Sequence, residues 1–179
     1  MEGAADHDLM ARAATGDERA FRTLAERHAG AALRLARRIL GNEAMAEDIV
    51  QDALLRVWIN APRWRPEAAF RTWLYRIVVN LCLNARRRWP DLPLDAAERV
   101  ADPAATADEQ LRLRERDQRL AEAIDTLPER QRAAIVLTYQ EGFGNADVAE
   151  VLDTSVSSVE TLLVRARRTL RAAFGRDQD

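Results

Sequence analysis

One stripe of side chains carries the strongest chemical signal in this sequence. Within the segment Phe70–Arg88, Trp73, Arg76, Asn80, Asn84 and Arg87 follow one another at +3, +4, +4 and +3. On a helix, where each residue turns by ~100°, this spacing places all five side by side. An indole offers a stacking platform for an unpaired base, amides read base edges, and guanidiniums hold phosphates. Trp64, in a loop bracketed by Pro62 and Pro66, adds a second large aromatic where burial is not assured. Phe70, Leu74, Ile77 and Leu81 are expected to form the core side of the same helix. A core role explains Trp73 by itself, but it explains the whole stripe less well.

Two further clusters stand out. In Ala46–Trp58, Asp48, Gln51 and Asp52 fall at i, i+3 and i+4, on one outward face, with Val50, Leu54, Val57 and Trp58 inward. Such a patch suits docking on a basic protein surface, or is simply solvated. Near the C-terminus, Asn145 is placed to cap a short helix over Ala146–Leu152. Asp153-Thr154 then makes a turn, and Thr154 or Ser155 caps a longer helix to about Ala173. Val159, Leu163, Ala166 and Leu170 share the inner face of that helix, and Ser157, Thr161, Val164 and Arg168 lie opposite. Arg165, Arg167, Arg168 and Arg171 are within reach of phosphates. This pattern suits a helix-turn-helix that reads a major groove, the plainer alternative being a helical hairpin with solvated arginines.

The elements that must position these residues are helical throughout, because strand-like alternation is almost absent. A long amphipathic stretch opens at Asp17, with Phe21, Leu24, His28, Ala31 and Leu35 on one face, and Gly41-Asn42 interrupts it. A second helix is expected over about Ala44–Asn60 and a third over about Ala68–Arg88, stopped by Trp89-Pro90. Residues 90–108, rich in Pro, Asp and Ala, read as a flexible acidic linker. Helical patterning resumes near Glu109 and runs to Phe174. The expected fold is all-α: two small helical domains, 1–89 and 109–179, joined by that linker.

Composition narrows the function. At 47% hydrophobic and 31% charged residues in 179, the chain has an ordinary globular balance, with no apolar run long enough to span a membrane and no secretory start. Membrane insertion is not expected, and a cytoplasmic location is. All 27 basic residues are arginine, and the net charge of −2 conceals a basic segment over 1–88 and acidic ones after it. Cys82 is the one cysteine, between Leu81 and Leu83, and reads as a buried thiol. His7 and His28 lack ligand spacing, so neither metal nor cofactor is expected. No carboxylate pair, nucleophile–base set or glycine-rich phosphate loop points to catalysis.

Taken together, four segments in order resemble the extracytoplasmic-function branch of the sigma-70 family, over about Leu9–Leu170. Thr15-Gly-Asp-Glu-Arg-Ala-Phe21 is similar to its opening helices, and Ala46-Glu-Asp-Ile-Val-Gln-Asp52 to its polymerase-binding segment. Phe70-Arg-Thr-Trp-Leu-Tyr-Arg-Ile-Val-Val-Asn80 is similar to the segment that melts the −10 element. Leu127-Pro-Glu-Arg-Gln-Arg132 with Val164-Arg-Ala-Arg-Arg168 is similar to the domain that binds the −35 element. The resemblance implies that Asp48, Gln51 and Asp52 contact core RNA polymerase, and that Trp64, Arg71, Trp73, Arg76, Asn80, Asn84 and Arg87 serve the −10 DNA. It implies that Ser157, Ser158, Glu160, Thr161, Val164, Arg165 and Arg168 serve the −35 DNA. Partners would be core polymerase, promoter DNA and an anti-sigma factor. The linker would thread the polymerase channel. Two departures from the family pattern bear on specificity: Glu160 and Leu162 replace frequent basic residues, and Asp153 replaces a frequent Gly. Glu160 would either accept from a cytosine or cap the helix. The competing readings are a decoy that binds an anti-sigma factor without reading promoters, and a dimeric repressor or activator. No coiled-coil heptads support the latter.

Overall fold

The computed structural model describes residues 5–65, 69–90 and 118–175, and every regular element among them is helical. The linker expected at 90–108 lies outside them except for Pro90, as do Pro66 and the helical start near Glu109.

The first unit contains α1 (Asp6–Ala13), α2 (Glu18–Leu40), α3 (Glu43–Asn60), a single 3-10 turn (Ala61–Arg63) and α4 (Phe70–Arg88). Local chemistry fixes its joints. The Asp17 carboxylate accepts from the N–H of Arg19 and Ala20 at 3.0 and 3.1 Å and so caps α2. The Ala20 bond, followed by the contact with Arg12, holds that carboxyl below its usual range. Gly41, at φ +65°, ends α2 in the left-handed conformation, its N–H donating to the Arg37 carbonyl. Asn42 starts α3 at once, its side chain accepting from Met45 N–H at 2.9 Å. Two residues thus make a complete helix reversal.

In the second unit, helical residues 118–125 are α5, followed by α6 (Glu129–Ile135) and a π-turn over Val136–Gln140. Gly142, at φ +72°, lets the chain reverse into α7 (Asn145–Val151), and α8 (Val156–Gly175) completes the unit. None of the described helices is long and apolar enough to cross a membrane.

The two units pack on each other. One continuous cluster of buried side chains runs from Leu9 through Leu40, Val57 and Val78 to Val136, Val151 and Leu163. Helix α4 lies at its centre, touching α2 and α3 on one side and α6 and α7 on the other. Its buried arc is therefore wide: Phe70, Leu74, Tyr75, Val78, Val79 and Cys82 are all inside. Ile77 and Leu81, expected in the core stripe, are only half-buried at its edge. The hydrophobic spacing marked one face, whereas α4 is covered from two directions. Cys82 is buried as expected, and its burial pushes the thiol pKa up, away from the reactive thiolate.

Candidate nucleic-acid interface

A groove of about 600 Å³ runs between the end of α3 and the outer face of α4. Trp64, Trp73, Arg76, Asn80 and Asn84 line it, over a floor that includes Ile77 and Leu81. The stripe read from spacing and the loop tryptophan therefore meet in one place. Trp64 is held by the α1 side chain His7, with ring centroids 5.3 Å apart, and Trp73 by an edge contact with Phe70 at 6.2 Å. Both indoles are half-buried, so each keeps an accessible part in the groove. Asn80 and Asn84 are exposed. Arg87, exposed one turn further on, donates to the Asn84 side-chain oxygen and orients that amide.

The structure adds residues that spacing did not mark. Arg56, Asn60, Arg63 and Arg65 complete the groove wall. Arg63 and Arg65 flank Trp64 directly, a signal available in the sequence. The groove is thus lined by four arginines, with Arg76, against a single acid, Glu150 from α7. Such an apolar floor with a cationic rim suits a single-stranded nucleic acid better than a neutral ligand. Arg71 does not join the groove. It points to the second unit, donating to the Glu141 carboxylate at 3.0 Å and to the Glu141 carbonyl at 2.8 Å. Two residues along a helix turn by ~200°, so Arg71 and Trp73 cannot serve the same surface here.

On the outward face of α3, Asp48 and Gln51 are exposed. Asp52 is tied to Arg56 by two 3.0 Å bonds at i, i+4 and is less available than its neighbours. The same face continues with Leu55 and Ile59, which expose 56% and 63% of their surface. Positions 48, 51, 52, 55 and 59 follow helical spacing, so the apolar pair extends the same face. Val50 and Val57 are buried as expected, while Leu54 and Trp58 are half-buried.

The recognition-type helix α8 buries Val159, Leu163 and Ala166 against the rest of its unit, with Leu170 half-buried beside them. Its opposite face presents Ser157, Glu160, Thr161, Val164, Arg165 and Arg168 to solvent, with Ser158 half-buried. A shallow pocket forms around Arg130, Thr154, Ser157, Ser158, Thr161 and Arg165. Ser155 is the cap: its hydroxyl oxygen accepts from Ser158 N–H at 3.2 Å. Glu160 therefore does not cap the helix, and its exposed carboxylate is left for external contact. Asp153 takes φ +50°, a conformation that Asp adopts more readily than most residues, and Thr154 N–H closes the turn on the Ala149 carbonyl at 2.9 Å. The turn is tight without glycine. Asn145, expected as a cap, is instead the first helical residue. Gly144 occupies the cap position of α7 with no side-chain bond.

Comparison with known proteins finds two family models along the chain. The family model described as Sigma-70 region 2 matches residues 24–89, and that described as Sigma-70, region 4 matches residues 117–170. The chain is 35% identical to the ECF RNA polymerase sigma factor SigM of Mycobacterium tuberculosis, over 95% of this chain and 85% of the relative. It is 34% identical to the RNA polymerase sigma factor CnrH of Cupriavidus metallidurans, over 98% of this chain and 97% of the relative. A solved structure of CnrH in complex with the cytosolic domain of CnrY aligns with a TM-score of 0.71 at 33% identity, covering 98% of this chain and all of that one.

Proposed function

Because the chain belongs to the extracytoplasmic-function branch of the sigma-70 family, we propose that its three exposed surfaces divide the work of promoter selection among them. As a sigma factor it directs core RNA polymerase to promoters and promotes their opening. The α3 face of Asp48, Gln51 and Asp52, extended by Leu55 and Ile59, docks on the polymerase. The α3–α4 groove takes unpaired −10 DNA. The outer face of α8 enters the major groove at the −35 element. In these terms residues 1–89 are the −10 and polymerase-binding domain, 90–108 the linker, and 109–179 the −35 domain.

The observation that carries the reading is the meeting of Trp64 and Trp73 with Asn80, Asn84 and Arg76 in one groove. Pulling a base from duplex DNA costs a few kcal/mol. Stacking on an aromatic ring returns about 1–3 kcal/mol per base, so two indoles with amide contacts offset the loss of one base pair's stacking. No step of RNA synthesis falls to this chain: the polymerase supplies the chemistry and the sigma factor supplies position. At the −35 element, Val164 is suited to a thymine methyl, Glu160 to a cytosine amine, and Arg165 and Arg168 to phosphates. The intact groove supports an active sigma factor over a decoy. The site of action is the cytoplasm, where polymerase and promoters are. CnrH, a relative along its whole length, is seen bound to CnrY, which supports control of this chain by an anti-sigma partner.

Photo-crosslinking of the holoenzyme to promoter DNA tests the assignment. Probes on the non-template −10 strand are expected to attach within residues 63–84, and probes in the −35 element within 154–168. Attachment of −10 probes to α8, or to neither unit, would refute it.

A further inference from the structure

We infer that His7 of α1 is a positioning residue for promoter opening: its imidazole braces the Trp64 indole from outside the −10 groove, so that the ring is in place before the melted strand arrives. The inference rests on the groove being the −10 site.

Trp64 follows the single 3-10 turn Ala61–Arg63 and leaves the helical conformation, at φ −65° and ψ 138°. Its N–H closes that turn on the Ala61 carbonyl at 3.1 Å, which fixes the backbone but not the rotation of the indole about its side-chain bonds. Ala61 is buried, whereas Arg63 and Arg65 on either side of Trp64 are exposed. The inner part of the indole rests on the core cluster. Its ring contact is with His7, at 5.3 Å between centroids and 50° between planes. Both distance and tilt suit an aromatic pair. His7 is exposed and is not among the residues that line the groove. Its contact with the indole therefore lies outside the groove and leaves the groove side of the ring to a base.

A brace works only if its own base is fixed. Leu9, Met10 and Ala13 bury α1 against α2, and α1 also packs on the 3-10 turn that leads to Trp64. Asp6, directly before His7, accepts from Arg27 at 3.1 Å and from the His28 Nε2–H at 2.7 Å, both on α2. His28 in turn meets Phe70 edge-on at 4.9 Å, and Phe70 is the ring that holds Trp73. The chain's two histidines thus stand behind the two groove indoles, His7 directly and His28 through Phe70. A side chain ordered beforehand loses less freedom on binding, so the brace strengthens capture of an unpaired base. A ring pair of this kind is worth about two- to tenfold in an equilibrium constant.

Fluorotryptophan labelling of the full chain reads the brace without DNA or polymerase, the Trp64 fluorine resonance being the one lost in Trp64→Phe. His7→Ala is expected to move and broaden that resonance. The melting temperature should stay within about 2 °C of the parent, because His7 is exposed. Preformed holoenzyme carrying His7→Ala is expected to open promoters about fivefold less favourably, at unchanged affinity for core polymerase. His7→Phe, which keeps a ring against the indole, is expected to restore most of the opening. An unmoved Trp64 resonance in His7→Ala, opening undiminished by His7→Ala where Trp64→Ala lowers it, or no recovery in His7→Phe would overturn the proposal. Opening undiminished by Trp64→Ala itself, with the resonance moved as expected, would instead overturn the groove assignment.

Discussion

Replacing Leu55 and Ile59 together with serine is expected to weaken capture of core polymerase by about thirtyfold or more, with little change in fold stability. Both side chains are more than half exposed and extend the Asp48–Gln51 face along α3. They touch too little of this chain to matter for its core, so the melting temperature should stay within about 2 °C of the parent. At an interface the same residues are the apolar centre of a polar patch, the setting in which truncation costs about 2 kcal/mol or more. Since every 1.4 kcal/mol is about tenfold in affinity, thirtyfold is the lower bound for the pair. Titration of core polymerase with a labelled chain reads this out directly. Unchanged affinity would remove α3 from the interface; lost affinity with a large drop in melting temperature would mean that the pair is structural.

The second large effect is expected from Arg76→Ala combined with Asn80→Ala. Arg76 is half-buried and Asn80 exposed, and both line the groove. Loss of one amide contact to a base edge and one guanidinium contact to a phosphate amounts to about 2–4 kcal/mol. Preformed holoenzyme should then open promoters about thirty- to a thousandfold less favourably. Affinity for core polymerase should be unaffected. Permanganate reactivity of thymines in the −10 region, or brightening of 2-aminopurine placed there, measures opening. Arg76→Ala also removes the exposed pair with Asp153, a contact that is weak by itself. Normal opening by the double variant would show that the groove does not hold the melted strand.

Why these residues were visible in the sequence, and others not, has a physical reason. The helix boundaries at Asp17, Gly41-Asn42 and Ser155 depend on contacts within four residues, and they appear in the sequence as capping and left-handed types. The outer and inner faces of α8 follow the helical period because only one side of that helix is covered. The groove stripe was legible because it lies on the arc of α4 that stays open between its covered sides. Helix α4 broke the pattern where it is covered twice: Ile77 and Leu81 moved from core to groove floor, and Tyr75 and Val79 moved inside. The turn of Arg71 toward Glu141, 70 positions away, depends on how the two units dock, which no local spacing encodes. Asn145 failed as a cap because Gly144 starts α7 one residue earlier. Leu55 and Ile59 were missed differently. Their spacing continues the acidic face, but apolar types invite a core reading until their exposure is known.

The central claim is that this chain supplies promoter choice to a polymerase that lacks it. Purified core polymerase, transcribing sheared genomic DNA with and without the chain, tests it most directly when RNA 5′ ends are mapped. The account predicts new start sites that share a −10 and a −35 sequence and vanish with the Arg76→Ala, Asn80→Ala variant. Stable binding to core polymerase with no new start sites would contradict it.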